Sequence, residues 1–169
     1  MGRMQIAPYR DEYREQVIEL ILHIQRQEFN LPITREDQPD ICSINDFYLN
    51  PGGSFFVALD QDLVVGTIGL LNIGSQQGVL RKMFVKQQYR GKVYHTAYLL
   101  LTELLSWAYD HNFNDVFLGT TPWFLAAHRF YEKHGFQEIT ASDLPPGFPI
   151  MKVDTKFYYL PLNSEGCRR

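Results

Sequence analysis

At 169 residues, with 45% apolar and 14% aromatic content, the chain has the length and core-forming capacity of one compact domain over residues 1–169, which argues against a multidomain or disordered chain. Lys plus Arg number 16 against 19 Asp plus Glu, a net charge of −3, so no global field favours nucleic acid or an anionic lipid surface. No apolar stretch reaches the roughly 20 residues of a membrane span and no secretory pattern follows the basic start of the chain. The expectation is a cytoplasmic protein with no membrane or nucleic-acid partner, its Cys42 and Cys167 unpaired.

In chain order, residues 9–29 place Val17, Leu20, Ile21 and Ile24 at helical spacing behind Asp11, Glu12 and Glu15, where the helix dipole favours acids. This predicts a long amphipathic helix. Residues 31–51, with Pro32, Pro39 and Pro51 around a short apolar patch, predict a loop with a short helix that covers a site. Two β-branched and aromatic runs, 54–59 and 63–73, flank Asp60, Gln61 and Asp62 and predict a hairpin, with a third strand over 78–85. Ala97, Leu100, Leu101, Leu104, Leu105 and Ala108 form one helical stripe before a short strand at 115–118. Strand, helix and strand together make a parallel βαβ unit, at whose carboxyl ends ligands collect. Thr121 and Pro122 read as N-cap and N1 of a helix over 122–134, with Gly135 as its stop. Strands at 136–139 and 156–160 close the fold, and the Phe157, Tyr158, Tyr159 segment offers an apolar edge for a homodimer, a monomer being the alternative. The fold class is thus α/β of the α+β type, a mainly antiparallel mixed sheet with one parallel crossover, flanked by helices.

Arg81, Lys82, Lys86, Arg90 and Lys92 lie within twelve residues that hold no acid, in a chain acidic overall. Arg90, Gly91 and Lys92 sit where a strand turns into a helix, so free backbone N–H groups, the helix dipole and two cations converge on a phosphate. The other reading of this turn is a solvated charged loop. Neither a GxSxG elbow nor a GxxxxGKS/T loop occurs, and the histidines lack ligand spacing, so no metal site is expected.

The run Met83-Phe84-Val85, then Gln88-Tyr89-Arg90-Gly91-Lys92, a Leu-rich helix and Ala127-His128-Arg129-Phe130-Tyr131-Glu132-Lys133-His134-Gly135-Phe136 resembles the GCN5-related N-acetyltransferase (GNAT) family. The resemblance implies that the turn holds the pyrophosphate of acetyl-coenzyme A through Arg90, Gly91, Lys92 and the backbone N–H groups of Val93, Tyr94, His95 and Thr96. It implies that Met83, Phe84 and Val85 pair with the pantetheine arm, and that Tyr131, otherwise a core aromatic, protonates the departing thiolate. Thr120 and Thr121 border the thioester, Glu28 borders the acceptor site, and Glu28 and Asp154 are the candidate bases. Val93 and His95 stand where the family pattern has small residues, and Phe124 where many members have Asn; their bulk narrows the approach. The resemblance implies an N-acetyltransferase acting on a primary amine of a small molecule or peptide, the alternative being an inactive coenzyme A-binding or protein-interaction module.

Overall fold

The computed structural model describes residues 4–91, 95–121, 125–151 and 154–162. Strands Met4–Pro8 (β1), Ser54–Asp60 (β2), Leu63–Asn72 (β3), Gln77–Val85 (β4), Asp115–Thr120 (β5), Gln137–Ile139 (β6) and Lys156–Pro161 (β7) form one sheet in the order β1-β2-β3-β4-β5-β7-β6. Only β4 and β5 run parallel, and helix Thr96–Asp110 lies between them in the chain. The sheet is therefore mixed and mainly antiparallel, as the patterning predicts.

Alternation along β2 divides the core. Phe55, Val57 and Leu59 pack with Val17, Ile18, Leu20 and Ile21 of helix Arg14–His23 (α1), while Phe56 and Ala58 pack with Leu100, Leu101 and Leu104 of the helix after β4. Successive strand residues point to opposite faces, so a strand covered by helices on both sides is apolar throughout. The predicted 9–29 helix begins as a short 3₁₀ turn at Asp11–Tyr13 and ends in a π turn at Ile24–Glu28, where Phe29 donates to the Ile24 carbonyl at 3.2 Å. Helix Pro39–Cys42 (α2) lies in the predicted loop, the helix Thr96–Asp110 is α3, and Leu125–Lys133 is α4. Pro122, Trp123 and Phe124, at the start of the predicted last helix, fall outside the described residues, as does Cys167. Among the described residues no helix is long and apolar enough to cross a membrane.

Two features differ from the sequence expectation. The chain start forms β1, whose Met4 to Pro8 pair with Asp60 to Phe56; its alternation is too short to register as a strand alone. And β7 is not an edge: it is hydrogen-bonded to β5 on one side and to β6 on the other, so the Phe157, Tyr158, Tyr159 segment is interior and Phe157 and Tyr158 are buried. The chain forms β6 first and then returns to insert β7 between β6 and β5, so the buried aromatics that look like an exposed edge are core.

Two irregularities open the sheet's centre. The β4–β5 ladder runs only from Gln77, Gly78 and Val79 to Asp115, Val116 and Phe117, beyond which the strands are no longer paired to each other. In β4 the register to β3 slips, Thr67 facing Phe84 and Gly69 facing Arg81, so Ile68 opposes both Lys82 and Met83. Lys82 takes a left-handed backbone (φ 56°), held by a hydrogen bond from the Thr67 hydroxyl to its carbonyl at 2.7 Å. That is a β-bulge, which bends a strand and re-aims its side chains.

Candidate active site

The strand-to-helix turn carries the first half of the site. After β4 the chain passes through Gly91 (φ 98°), a backbone that disfavours any Cβ, and reaches α3 through His95, also left-handed (φ 53°). Among the described residues His95 supplies no side-chain cap to α3, whose first turn carries the positive end of its dipole. The Thr96 hydroxyl donates instead to the Tyr89 carbonyl at 2.8 Å, tying the turn to the helix. Arg90 donates from Nε to the Val85 carbonyl at 2.8 Å and pairs with Glu28 at 2.7 Å. A cavity of about 480 Å³ opens here, lined by Val85, Arg90, Gly91, the first residues of α3 and Phe130, Lys133 and His134 of α4. Lys133 and His134 are additions that the sequence offered only as members of the Ala127 to Phe136 run. Burial and the Lys133 charge press the His134 pKa down, which keeps its ring neutral near pH 7.

The end of α4 fixes the tyrosine. Phe136 donates to the Tyr131 carbonyl at 3.0 Å and Gly135 to the Glu132 carbonyl at 3.2 Å, the Schellman arrangement, and Phe136 then packs edge-on against the Tyr131 ring at 5.5 Å. This is the local reason for the Phe130 to Phe136 block. Tyr131 is 7% exposed, and among the described residues its hydroxyl faces only the Met83 sulfur, 3.8 Å away. Desolvation raises its pKa well above that of an ordinary phenol, so it stays protonated. The fold thus brings Met83 to Tyr131 and Glu28 to Arg90. Thr120 ends β5 and Thr121 follows it, both buried; the Thr121 carbonyl accepts from His128 Nε2 at 2.7 Å, while the Thr121 hydroxyl has no partner among the described residues. Lys92, Val93 and Tyr94 lie outside the described residues.

On the other side of β4 the bulge builds a second, smaller cavity of about 140 Å³, bordered by Arg81, Lys82, Phe84, Gly119, Met151 and Asp154. Adjacent strand residues normally point to opposite faces, yet Arg81 and Lys82 both approach Asp40 Oδ2 of α2, at 4.0 and 3.8 Å. Asp40 accepts from the buried Tyr48 hydroxyl at 2.7 Å. Lys82 donates to Gln38 Oε1 at 2.6 Å, and Gln38 and Gln25 exchange amide hydrogen bonds at 2.8 and 3.0 Å, which ties the 31–51 segment to α1. Burial pushes the Lys82 pKa down from 10.5 to about 8 against the opposing pull of Asp40. Across the cavity Asp154 lies so close to β5 that a Cβ on Gly119 would stand 2.7 Å from its Oδ2; burial raises its pKa, and the Met151 N–H, Arg81 and Lys82 pull it back. The sequence showed Arg81 and Lys82 only as members of a basic run; Asp40 carried no local signal. Glu28 lines a separate groove with Lys86, Gln87 and Gln88.

The residues fit a coenzyme A thioester: a helix N-terminus without a side-chain cap beside Arg90 and Lys133, a stretch where β4 and β5 are not paired to each other, and a buried phenol facing β4. Residues 18–136 match the model of the Acetyltransferase (GNAT) family. An acetyltransferase of the GNAT family from Staphylococcus aureus Mu50 superposes with a TM-score of 0.90 at 40% identity, covering 95% of this chain and 99% of that one. The paiA N-acetyltransferase of Thermoplasma acidophilum, solved in complex with coenzyme A, shares the fold at a TM-score of 0.71 and 16% identity, over 92% of this chain and 98% of that one. Human N-acetylaspartate synthetase is 35% identical over 123 residues, 70% of this chain and 40% of that protein, so the chain spans about two-fifths of that relative's length. With the splayed strands, the basic turn and the tyrosine helix all within the matched region, the chain belongs to the GNAT acetyltransferase family.

Proposed function

We propose that this protein moves an acetyl group from acetyl-coenzyme A to a primary amine by direct attack. The observation that carries the reading is the Tyr131 hydroxyl, buried and facing Met83 at the β4–β5 gap, with one cavity on the turn side of β4 and another beside its bulge. The names of the relatives support it: one is an N-acetylaspartate synthetase, another an N-acetyltransferase solved with coenzyme A. When bound, the thioester supplies an activated acetyl group. The N–H groups that open α3, with Arg90 and Lys133 beside them, hold the pyrophosphate, and the unpaired edge of β4 from Met83 to Val85 holds the pantetheine arm. Thr120 and Thr121 border the thioester from β5. Tyr131 delivers a proton to the departing sulfur and recovers one from the amine nitrogen as the amide forms.

Thermal unfolding with and without acetyl-coenzyme A tests the cofactor. Ligand at 100 times its Kd adds about 2.7 kcal/mol, which moves the midpoint of a domain this size by about 5 to 10 °C. A shift with acetyl-coenzyme A and none with adenosine monophosphate supports the reading. No shift at millimolar ligand removes it. Turnover with an amine panel then separates an enzyme from a coenzyme A-binding module, the alternative that Val93, His95 and Phe124 raise.

A further inference from the structure

We infer that the cavity beside the β4 bulge receives a small α-amino acid, its carboxylate held by Arg81 and Lys82 and its ammonium by Asp154. The inference rests on the acetyltransferase reading and names its acceptor. Arg81 is the leading observation. Its side chain lines the cavity and is 18% exposed, and among the described residues its guanidinium has as polar partners the Met151 sulfur at 3.9 Å and Asp40 at 4.0 Å. A guanidinium presents five donors in a fork that matches a carboxylate, and these two long contacts leave that fork open towards the cavity. Asp40 does not fill that fork: its Oδ2 accepts from Tyr48 at 2.7 Å and lies 4.0 Å from the guanidinium and 3.8 Å from the Lys82 ammonium, beyond hydrogen-bond distance of both.

The opposite wall has the opposite sign. Asp154 faces the cavity where Gly119 leaves room for it, at the end of β5 that is no longer paired with β4. Arg81 and Lys82, which together outnumber Asp40, on one side and Asp154 on the other match the two poles of a zwitterion. A polyamine would set its second ammonium against Arg81 and Lys82. At about 140 Å³ the cavity is also well below the roughly 300 Å³ at which pockets for larger ligands begin. In the transfer, Asp154 takes the first proton of the ammonium, the N–C bond forms as the C–S bond breaks, Tyr131 protonates the sulfur, and the second nitrogen proton restores Tyr131. The products are an N-acetyl amino acid and the free thiol.

The test is thiol release by the unaltered protein with acetyl-coenzyme A and each proteinogenic L-amino acid, each compared with its own carboxamide, with spermidine as a carboxylate-free amine. At least one amino acid is expected to exceed its amide by about 100-fold in kcat/KM, the range set by a lost hydrogen bond to a charged group. Arg81→Gln should erase that preference and Arg81→Lys restore part of it, but the panel on the unaltered protein decides the matter even if the variants do not fold. Amides or spermidine performing as well as the amino acids overturns the inference and leaves the acetyltransferase reading standing. So does a coenzyme-induced midpoint shift with no transfer to, and no further stabilisation by, any amino acid. Absence of the coenzyme shift itself defeats both.

Discussion

In the proposed reaction the two sides of β4 meet different recognition problems with different materials. Towards α3 and α4 the site is built largely from backbone: an uncapped helix start, a strand edge without a partner, and a turn through Gly91. Around the bulge it is built from side chains brought together from α2, β4, β5 and the loop before β7. A pyrophosphate with several equivalent oxygens is satisfied by N–H groups that any sequence carries. A small acceptor with two poles needs charges at fixed places. The bulge at Lys82 serves both, since it turns Arg81 and Lys82 to one side and leaves Met83 to reach Tyr131 on the other.

The largest expected effect lies on the boundary between the two sides. Tyr131→Phe removes a hydroxyl whose only partner among the described residues is a sulfur at 3.8 Å, so folding and the coenzyme-induced midpoint shift should survive. Turnover should fall by about 10²- to 10⁴-fold, the usual range for a general acid. Single-turnover kinetics of the variant measure it, and an unchanged rate ends the acid role.

Lys82 gives the next largest effect, confined to the bulge side. Its pKa is about 8 in the fold against 10.5 when exposed, so below pH 8 the fold carries a buried ammonium at a cost. Between about pH 8 and 10.5 the unfolded chain binds a proton that the folded chain has released, and stability rises with pH. Lys82→Met should abolish that rise, the difference between the two proteins changing by about 3 kcal/mol across the window. Denaturant unfolding at pH 7, 8 and 10 reads it. The buried Tyr48 and Tyr131, whose pKa values are raised, lower stability above pH 10 in both proteins alike and cancel in the comparison. Parallel profiles would mean that Lys82 is solvated.

The contrast also explains what the sequence could disclose. The α3 stripe, the βαβ order, the Arg90 turn and the Gly135 stop are local, each readable from neighbours within a helical turn or two, and each stands where the spacing predicts. Asp40, Arg81, Gly119 and Asp154 meet only because a strand slips by one residue and a gap opens beyond Val79. Nothing in the triplet around Lys82 marks a bulge, since its left-handed backbone is held by Thr67 on another strand. The same limit hid the place of β7. Its aromatics fit an edge or a centre equally, and only the reversal that puts β6 outside it decides between them.

The smallest effect sharpens the division between the sides at Glu28. Its carboxylate pairs with Arg90 at 2.7 Å, with side chains 21% and 40% exposed, so the pair contributes only about 0.2 to 1 kcal/mol. Glu28→Gln should release Arg90 for an anionic ligand without disturbing the bond from its Nε to Val85. Coenzyme affinity should then rise by a few-fold at low salt, and the gain should fade as ionic strength rises and the Debye length shrinks towards about 3 Å at 1 M. Acceptor KM and kcat should stay where they were, because Glu28 lines a different groove from Gly119 and Asp154. Titration calorimetry and acceptor kinetics on the same variant separate the possibilities. A loss of turnover with unchanged coenzyme affinity would move Glu28 to the acceptor side as a base and take the proton transfer away from Asp154.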